Sequence, residues 1–209
     1  VSPADHLHPA RTVRVLSINT ARATPFTVAG RQVLSGIGKR AVSTLEQPVR
    51  IAVQPLGMAG DEQADLTVHG GLAKAVYAYP VEHYAFWQTV RAQARVAGWD
   101  EALPHGMLGE NLTLSGLTEG EVWIGDVLRF ADCTLAVSEP RRPCYKLEHV
   151  MGFKHTPKLM AQSGYCGFYL SVRAPGTLAA GEVAELVPGP REVNLRELFA
   201  AKMRKASTR

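Results

Sequence analysis

The stretch VWIGDVLRFADCTLAVSEPRRPCYKL, residues 122–147, decides how this chain is read. Residues 127–130 and 134–138 are short runs of Val, Leu, Phe and Thr bounded by Asp, Pro or Gly, and they read as two strands. Working outward, residues 13–18, 49–53, 75–79, 111–114 and 168–173 are runs of the same kind. Seven short strands with one main helix predict a mainly β (α+β) chain that closes, fully or in part, into a barrel rather than a βαβ sheet. No repeat of fixed period and no low-complexity block breaks this pattern.

Two helices are expected. Residues 81–97 contain neither Gly nor Pro, with Pro80 suited to the first helical position and Gly98 to the stop. Near the end, Asn194 followed by Glu197 is a variant of the capping box. Leu195, Leu198, Phe199 and Met203 then fall on one helical face, and Lys202, Arg204 and Lys205 close it with the charge that a helix C-terminus prefers. The reading is one domain over residues 1–190 with a helical appendage over 191–209. A short helix with an apolar face needs a covering surface, either its own barrel or a second copy, and a two-fold homodimer is expected.

Bulk properties narrow the function classes. The 209 residues are 46% apolar, ample for a sizeable core, and no run is long enough to cross a bilayer. The first residues lack an apolar signal core, and three cysteines at no zinc-finger spacing speak for a reducing compartment, so a cytoplasmic location is expected. A net charge of +4 without a basic stripe gives no reason to expect nucleic acid as a partner. Neither a zinc-protease pair of histidines nor a GxSxG elbow is present.

The residues able to do chemistry gather in three places. In residues 57–71, GMAGDEQADLTVHGG, Asp61, Glu62 and Asp65 precede His69 and a Gly-Gly turn, and Lys74 follows. That turn can offer backbone N–H groups and a cation to an anion, although an acidic surface loop with a glycine hairpin is the plainer reading. Asn111 opens a strand, where its amide either caps its own turn or faces a heterocycle at the barrel mouth. Residues 138–147, SEPRRPCYKL, are the most informative. Arg141 and Arg142 form a candidate phosphate-binding pair, and Pro143 stiffens the backbone before Cys144. With Lys146 nearby, these charges should favour the Cys144 thiolate, the form that binds a soft metal or attacks an electrophile. Cys133 and Cys166 sit in apolar surroundings and read as buried hydrophobes.

Taken in order, GDEQADLTVHGGLAKAVYAYPVEHYAFW, GENLTLSGL, VWIGDVLRF and VSEPRRPCYKL resemble the YiiM group of the MOSC superfamily over roughly residues 13–187. The resemblance implies a β-barrel-like MOSC fold. It also implies that Cys144 is the molybdenum or sulfur ligand of a molybdenum cofactor (molybdopterin). Members of this group are associated with resistance to N-hydroxylated base analogues, and related proteins reduce N-hydroxylated compounds. The implied activity is an oxidoreductase acting on a small N-hydroxylated substrate, fed by a separate electron-donating reductase. In it Lys74, Arg141 and Arg142 would neutralise the pterin phosphate, while His69 and Asn111 hold pterin or substrate. The alternative is a carrier, with Cys144 bearing sulfur as a persulfide or holding cofactor for delivery. The group usually has three helices after the barrel, and only one is legible here.

Overall fold

The computed structural model describes residues 12–28, 31–63 and 70–207. In chain order the strands begin with β1 (Val13–Thr20), β2 (Thr24–Val28), β3 (Arg31–Ser35), β4 (Arg40–Thr44), β5 (Ile51–Gln54), β6 (Gly57–Met58) and β7 (Val76–Pro80). Helix α1 (Tyr84–Gln93) precedes β8 (Leu112–Ser115), β9 (Val127–Arg129) and β10 (Thr134–Pro140). Helices α2 (Lys146–Met151) and α3 (Thr156–Ser163) lead to β11 (Phe168–Ala174), β12 (Gly176–Leu178), β13 (Val183–Val187) and α4 (Leu195–Ser207).

Seven strands close on themselves in the order β13-β9-β10-β11-β7-β8-β1, because β1 pairs back to β13 through Val13 and Ala184. The expected mainly β barrel is therefore the fold, with β4 added on β1, a small β12-β5-β6 sheet, and the β2–β3 hairpin standing apart. Six of the barrel pairings are antiparallel and β7–β8 is parallel, so one β-α-β crossover through α1 is built into the barrel. Closure leaves the seven strands no unpaired barrel edge, the physical advantage of a barrel over an open sheet.

The period-2 alternation of strand side chains creates two cores from one wall. Val76 and Ala78 of β7, with Phe168 and Leu170 of β11, join the cluster of Val15, Ile18, Leu112, Leu128 and Leu135. The alternate residues Tyr77, Tyr79 and Tyr169 pack with Trp87, Leu147, Met151, Met160 and Phe199 from the helices. Every residue of β7 is buried, as a strand covered on both faces requires.

All seven expected strands are present with ends shifted by at most two residues. The hairpin, β4, β6, β12, β13 and the helices α2 and α3 escape the sequence reading, being short or weakly periodic. The first helix differs from its expected bounds. Pro80 ends β7 instead of starting the helix, and α1 stops at Gln93. There Val96 N–H donates to Arg91 O and Arg95 N–H to Ala92 O, a Schellman closure with Arg95 at φ +58° in the place usually held by glycine.

Helix α4 begins as read: Asn194 Oδ1 accepts the N–H groups of Arg196 (3.0 Å) and Glu197 (3.3 Å). Leu195 and Phe199 are buried in the two cores and Met203 packs against the second, so its own barrel covers the apolar face. The expectation of a homodimer thus loses the exposed stripe on which it rested.

Candidate active site around Cys144

β10 ends at Pro140, and the chain then turns across one end of the second core. Arg141 N–H donates to Gly167 O at 3.4 Å, which keeps the residue beside the start of β11. Its side chain runs inward, only 4% exposed. There the guanidinium donates to Leu108 O and lies 4.5 Å from the Tyr77 ring centroid, a cation–π contact in a desolvated setting. Three residues later the chain reaches Cys144, whose carbonyl accepts Leu147 N–H (2.9 Å) as α2 begins.

The Cys144 side chain, half-buried, lines a cleft enclosing about 610 Å³ including its open mouth. One wall is the turn after the β2–β3 hairpin, another is the chain at residues 61–63, and Tyr77 and Tyr169 form the aromatic side. Two glycines permit this closeness. A Cβ on Gly36 would lie 2.2 Å from Glu62 O, and one on Gly109, at φ +84°, would lie 2.9 Å from the Ile37 side chain.

The residues picked out from sequence meet different fates. Cys144, Lys74, Asn111 and Arg141 come together on the cleft. Lys74 reaches it from a 3-10 turn, 3.8 Å from Glu139 and 5.9 Å from the Tyr169 ring centroid. Arg142 does not join them: it is exposed and stands outside the cleft lining, so the two arginines do not meet at the cleft. His69 and Asp65 lie outside the described residues.

Asn111 is committed to the fold. Its Oδ1 accepts Tyr77 N–H (3.0 Å), and its Nδ2 donates to Asn19 O (3.3 Å) and Asp61 Oδ2 (2.8 Å). Both amide protons are thereby used, and the side chain acts as a brace between β7, β1 and the cleft wall.

Asp61 and Glu62 are likewise tied into the fold. Asp61 Oδ1 accepts Ala21 N–H (2.9 Å) and pairs with the Lys39 ammonium, while Glu62 accepts Ala23 N–H (2.8 Å). Lys39, Tyr77 and Tyr169 were not found by sequence reasoning. Lys39 is 22 residues from Asp61, and nothing local marks either as half of a buried pair.

Beneath the cleft lies a third carboxyl group, Glu110, fully buried. It accepts the N–H groups of Gly106 (2.9 Å) and Leu108 (3.1 Å) and the hydroxyls of Tyr84 and Thr113. These bonds shape the loop whose Leu108 carbonyl receives Arg141. Burial pushes the Glu110 carboxyl above its ordinary value even though the bonds from Tyr84, Gly106 and Thr113 pull it down. Burial also pushes up the Tyr77 and Tyr169 hydroxyls, against the pull of Arg141.

In chemical terms the described residues of the cleft offer one sulfur donor and four cationic side chains, Lys39, Lys74, Arg141 and Lys146, against the two carboxylates Asp61 and Glu62. A soft donor inside a net positive wall suits a soft metal carried by an anionic organic ligand.

Comparison with known proteins agrees with this geometry. A family model described as the MOSC domain matches residues 65–185. YflK of Bacillus subtilis strain 168 is 39% identical over 175 residues, covering 83% of this chain and 72% of that protein. YiiM of Escherichia coli strain K12 is 36% identical over 160 residues, covering 77% of this chain and 69% of that one. A protein of Gibberella moniliformis named a reductase is 31% identical over 135 residues, 64% of this chain but 23% of its own length. Among solved structures, YiiM from Geobacillus stearothermophilus superposes with a TM-score of 0.69 at 29% identity, over 92% of this chain and 85% of that one.

Proposed function

The chain belongs to the MOSC domain family, and from that premise we propose that it holds a molybdenum cofactor in the Cys144 cleft and reduces N-hydroxylated bases or related N-hydroxyl compounds. One observation carries the reading: of the three cysteines, Cys144 is the one that lines the cleft. Cys133 and Cys166 are 2% and 0% exposed. Burial pushes the Cys133 thiol up to about 11, and it pushes that of Cys166 up as well, which disfavours the ligand form at both.

When bound, the cofactor supplies the two-electron chemistry, and the protein supplies a ligand, orientation and electrostatics. Cys144 Sγ is the metal ligand. Lys74 and Lys146, at the mouth, with Arg141 below them, offset the negative charge of the pterin phosphate. Lys146 is placed by a bond from its Nζ to Leu34 O (3.0 Å), which also ties α2 to the hairpin. Asn111 holds Asp61 rather than the pterin. A separate reductase supplies the electrons and the cytoplasm is the place of work. The reductase name of the fungal relative is in keeping with this chemistry. No described helix is long and apolar enough to cross a membrane.

The test is metal and pterin analysis of protein purified from a host that makes the cofactor. Near-stoichiometric molybdenum with pterin, and amine formed from an N-hydroxylated base, are expected of wild type. Cys144→Ser should lose both while folding normally, because a neutral hydroxyl is a poor ligand for a soft metal. Cys133→Ser and Cys166→Ser should keep their metal. Cyanide-releasable sulfur without molybdenum would make the protein a sulfur carrier instead.

A further inference from the structure

Resting on that proposed reaction, we propose that Lys39 is the proton donor of the site, passing a proton from its ammonium to the oxygen that leaves the substrate as water. Lys39 lies in the turn between β3 and β4, and its side chain is 8% exposed, yet it lines the same cleft as Cys144. An ammonium carries three N–H donors. Among the described residues one acceptor is given to it, Asp61 Oδ1, so the remaining donors are available to whatever fills the cleft. Asp61 is itself 2% exposed and is held by Ala21 N–H and the Asn111 amide, so the amine is aimed by a fixed partner.

The charged groups that bear on Lys39 are Asp61 and Glu110, which hold its proton, and Arg141, which opposes it. Burial, with Arg141 acting in the same direction, outweighs the two carboxylates and pulls the amine below the ordinary lysine value. Other lining groups are worse donors. Arg141 does not release a proton at physiological pH, and burial pushes Tyr77 and Tyr169 up. Lys74 and Lys146 stand nearer the mouth, engaged with Glu139 and Leu34 O.

The step balances as R–NH–OH + 2e⁻ + 2H⁺ → R–NH₂ + H₂O. The N–O bond breaks, two electrons come from the cofactor reduced by its partner reductase, and nitrogen is reduced to the amine. Lys39 protonates the departing oxygen, and solvent provides the second proton and restores the ammonium.

The experiment compares Lys39→Gln and Lys39→Arg with wild type, all loaded with cofactor. It adds NMR of the lysine side chains in the cofactor-free wild type, with Lys39 assigned through the arginine variant. Lys39→Gln is expected to keep its molybdenum and pterin and turn over roughly 100-fold more slowly, within the range of general-acid effects. It should also lose the alkaline fall in kcat that is expected of wild type. Lys39→Arg should be as slow, since it keeps the charge but not the removable proton. The Lys39 amine should titrate below the surface lysines.

Full turnover in Lys39→Arg would reduce the role to charge alone and overturn the proposal. So would loss of pterin in Lys39→Gln, or an amine that titrates with the surface lysines, a reading that needs no variant to fold. A wild type that holds cofactor but reduces no N-hydroxyl compound sinks the proposed reaction and this step with it. An active wild type matched by Lys39→Gln sinks this step alone.

Discussion

Arg141 and Arg142 are chain neighbours, but one lies 4% exposed on the cleft floor and the other stands in solvent. The contrast extends to the regions around them. On the floor, Lys39, Asp61, Glu110 and Arg141 are buried charges whose partners come from distant parts of the chain. On the rim, Lys74 and Lys146 keep part of their length in water and make longer contacts. A floor charge is thus part of the architecture, because leaving its partner buried and unpaired is costly. A rim charge is tuned for what enters from solvent, and screening keeps its share of stability small.

The sharpest way to break this distinction is Asp61→Ala, which leaves the buried Lys39 ammonium without its acceptor. A loss of about 3–5 kcal/mol is expected, the usual effect of removing one member of a buried pair. In a chain of this size that is a fall in Tm of roughly 10 °C by calorimetry. A fall under about 2 °C would put Asp61 with the rim.

Arg141→Gln comes next. It removes a charged donor from Leu108 O and the stacking on Tyr77, for an expected loss of about 1.5–3 kcal/mol in urea unfolding. Because Arg141 also lines the cleft, cofactor affinity should weaken in parallel.

Glu110 sharpens the comparison through pH. Its folded carboxyl is raised above 4.5, so the folded chain keeps this proton at pH values where the unfolded chain has lost it. The stability it contributes is therefore complete below about pH 4.5 and is lost as pH rises through the folded value. Glu110→Gln cannot titrate, and its amide turns a donor towards the Leu108 or Gly106 N–H. Thermal melts across pH 4–8 should show the variant less stable at every pH, with the gap to wild type narrowing as pH rises. A gap that widens with pH would mean that the carboxyl is not raised.

The smallest effect is expected from Arg142→Gln: a change within about 0.5 kcal/mol, as for most surface substitutions. Cofactor content should stay at the wild-type level. A loss of cofactor equal to that of Arg141→Gln would restore the two arginines to one functional pair.

How far these features could be read in advance depends on their range along the chain. Six of the seven barrel strands were legible because strand alternation and Gly or Pro boundaries are properties of a few adjacent residues; β13 was not read, and the seventh strand that was read, β5, lies in the small sheet beside the barrel. The start of α4 was legible for the same reason: Asn194 caps N–H groups two and three residues ahead of it. Cys144 could be singled out from its companions because its Pro and Arg neighbours are in the sequence itself. Barrel closure was expected in outline, but the β1–β13 pairing that completes it joins residues at opposite ends of the chain.

What the sequence by itself determined, then, is most of the barrel's strands, the terminal helix and which cysteine stands in a basic, proline-stiffened loop, since each follows from covalent neighbours and short periodicities. Only the tertiary structure decided that Lys39 meets Asp61, that the Asn111 amide is used up as a brace, and that Arg141 turns under the cleft while Arg142 turns away. The physical reason is that burial and pairing of a charge depend on which distant segments the barrel brings within a few ångströms, and no local pattern encodes that meeting.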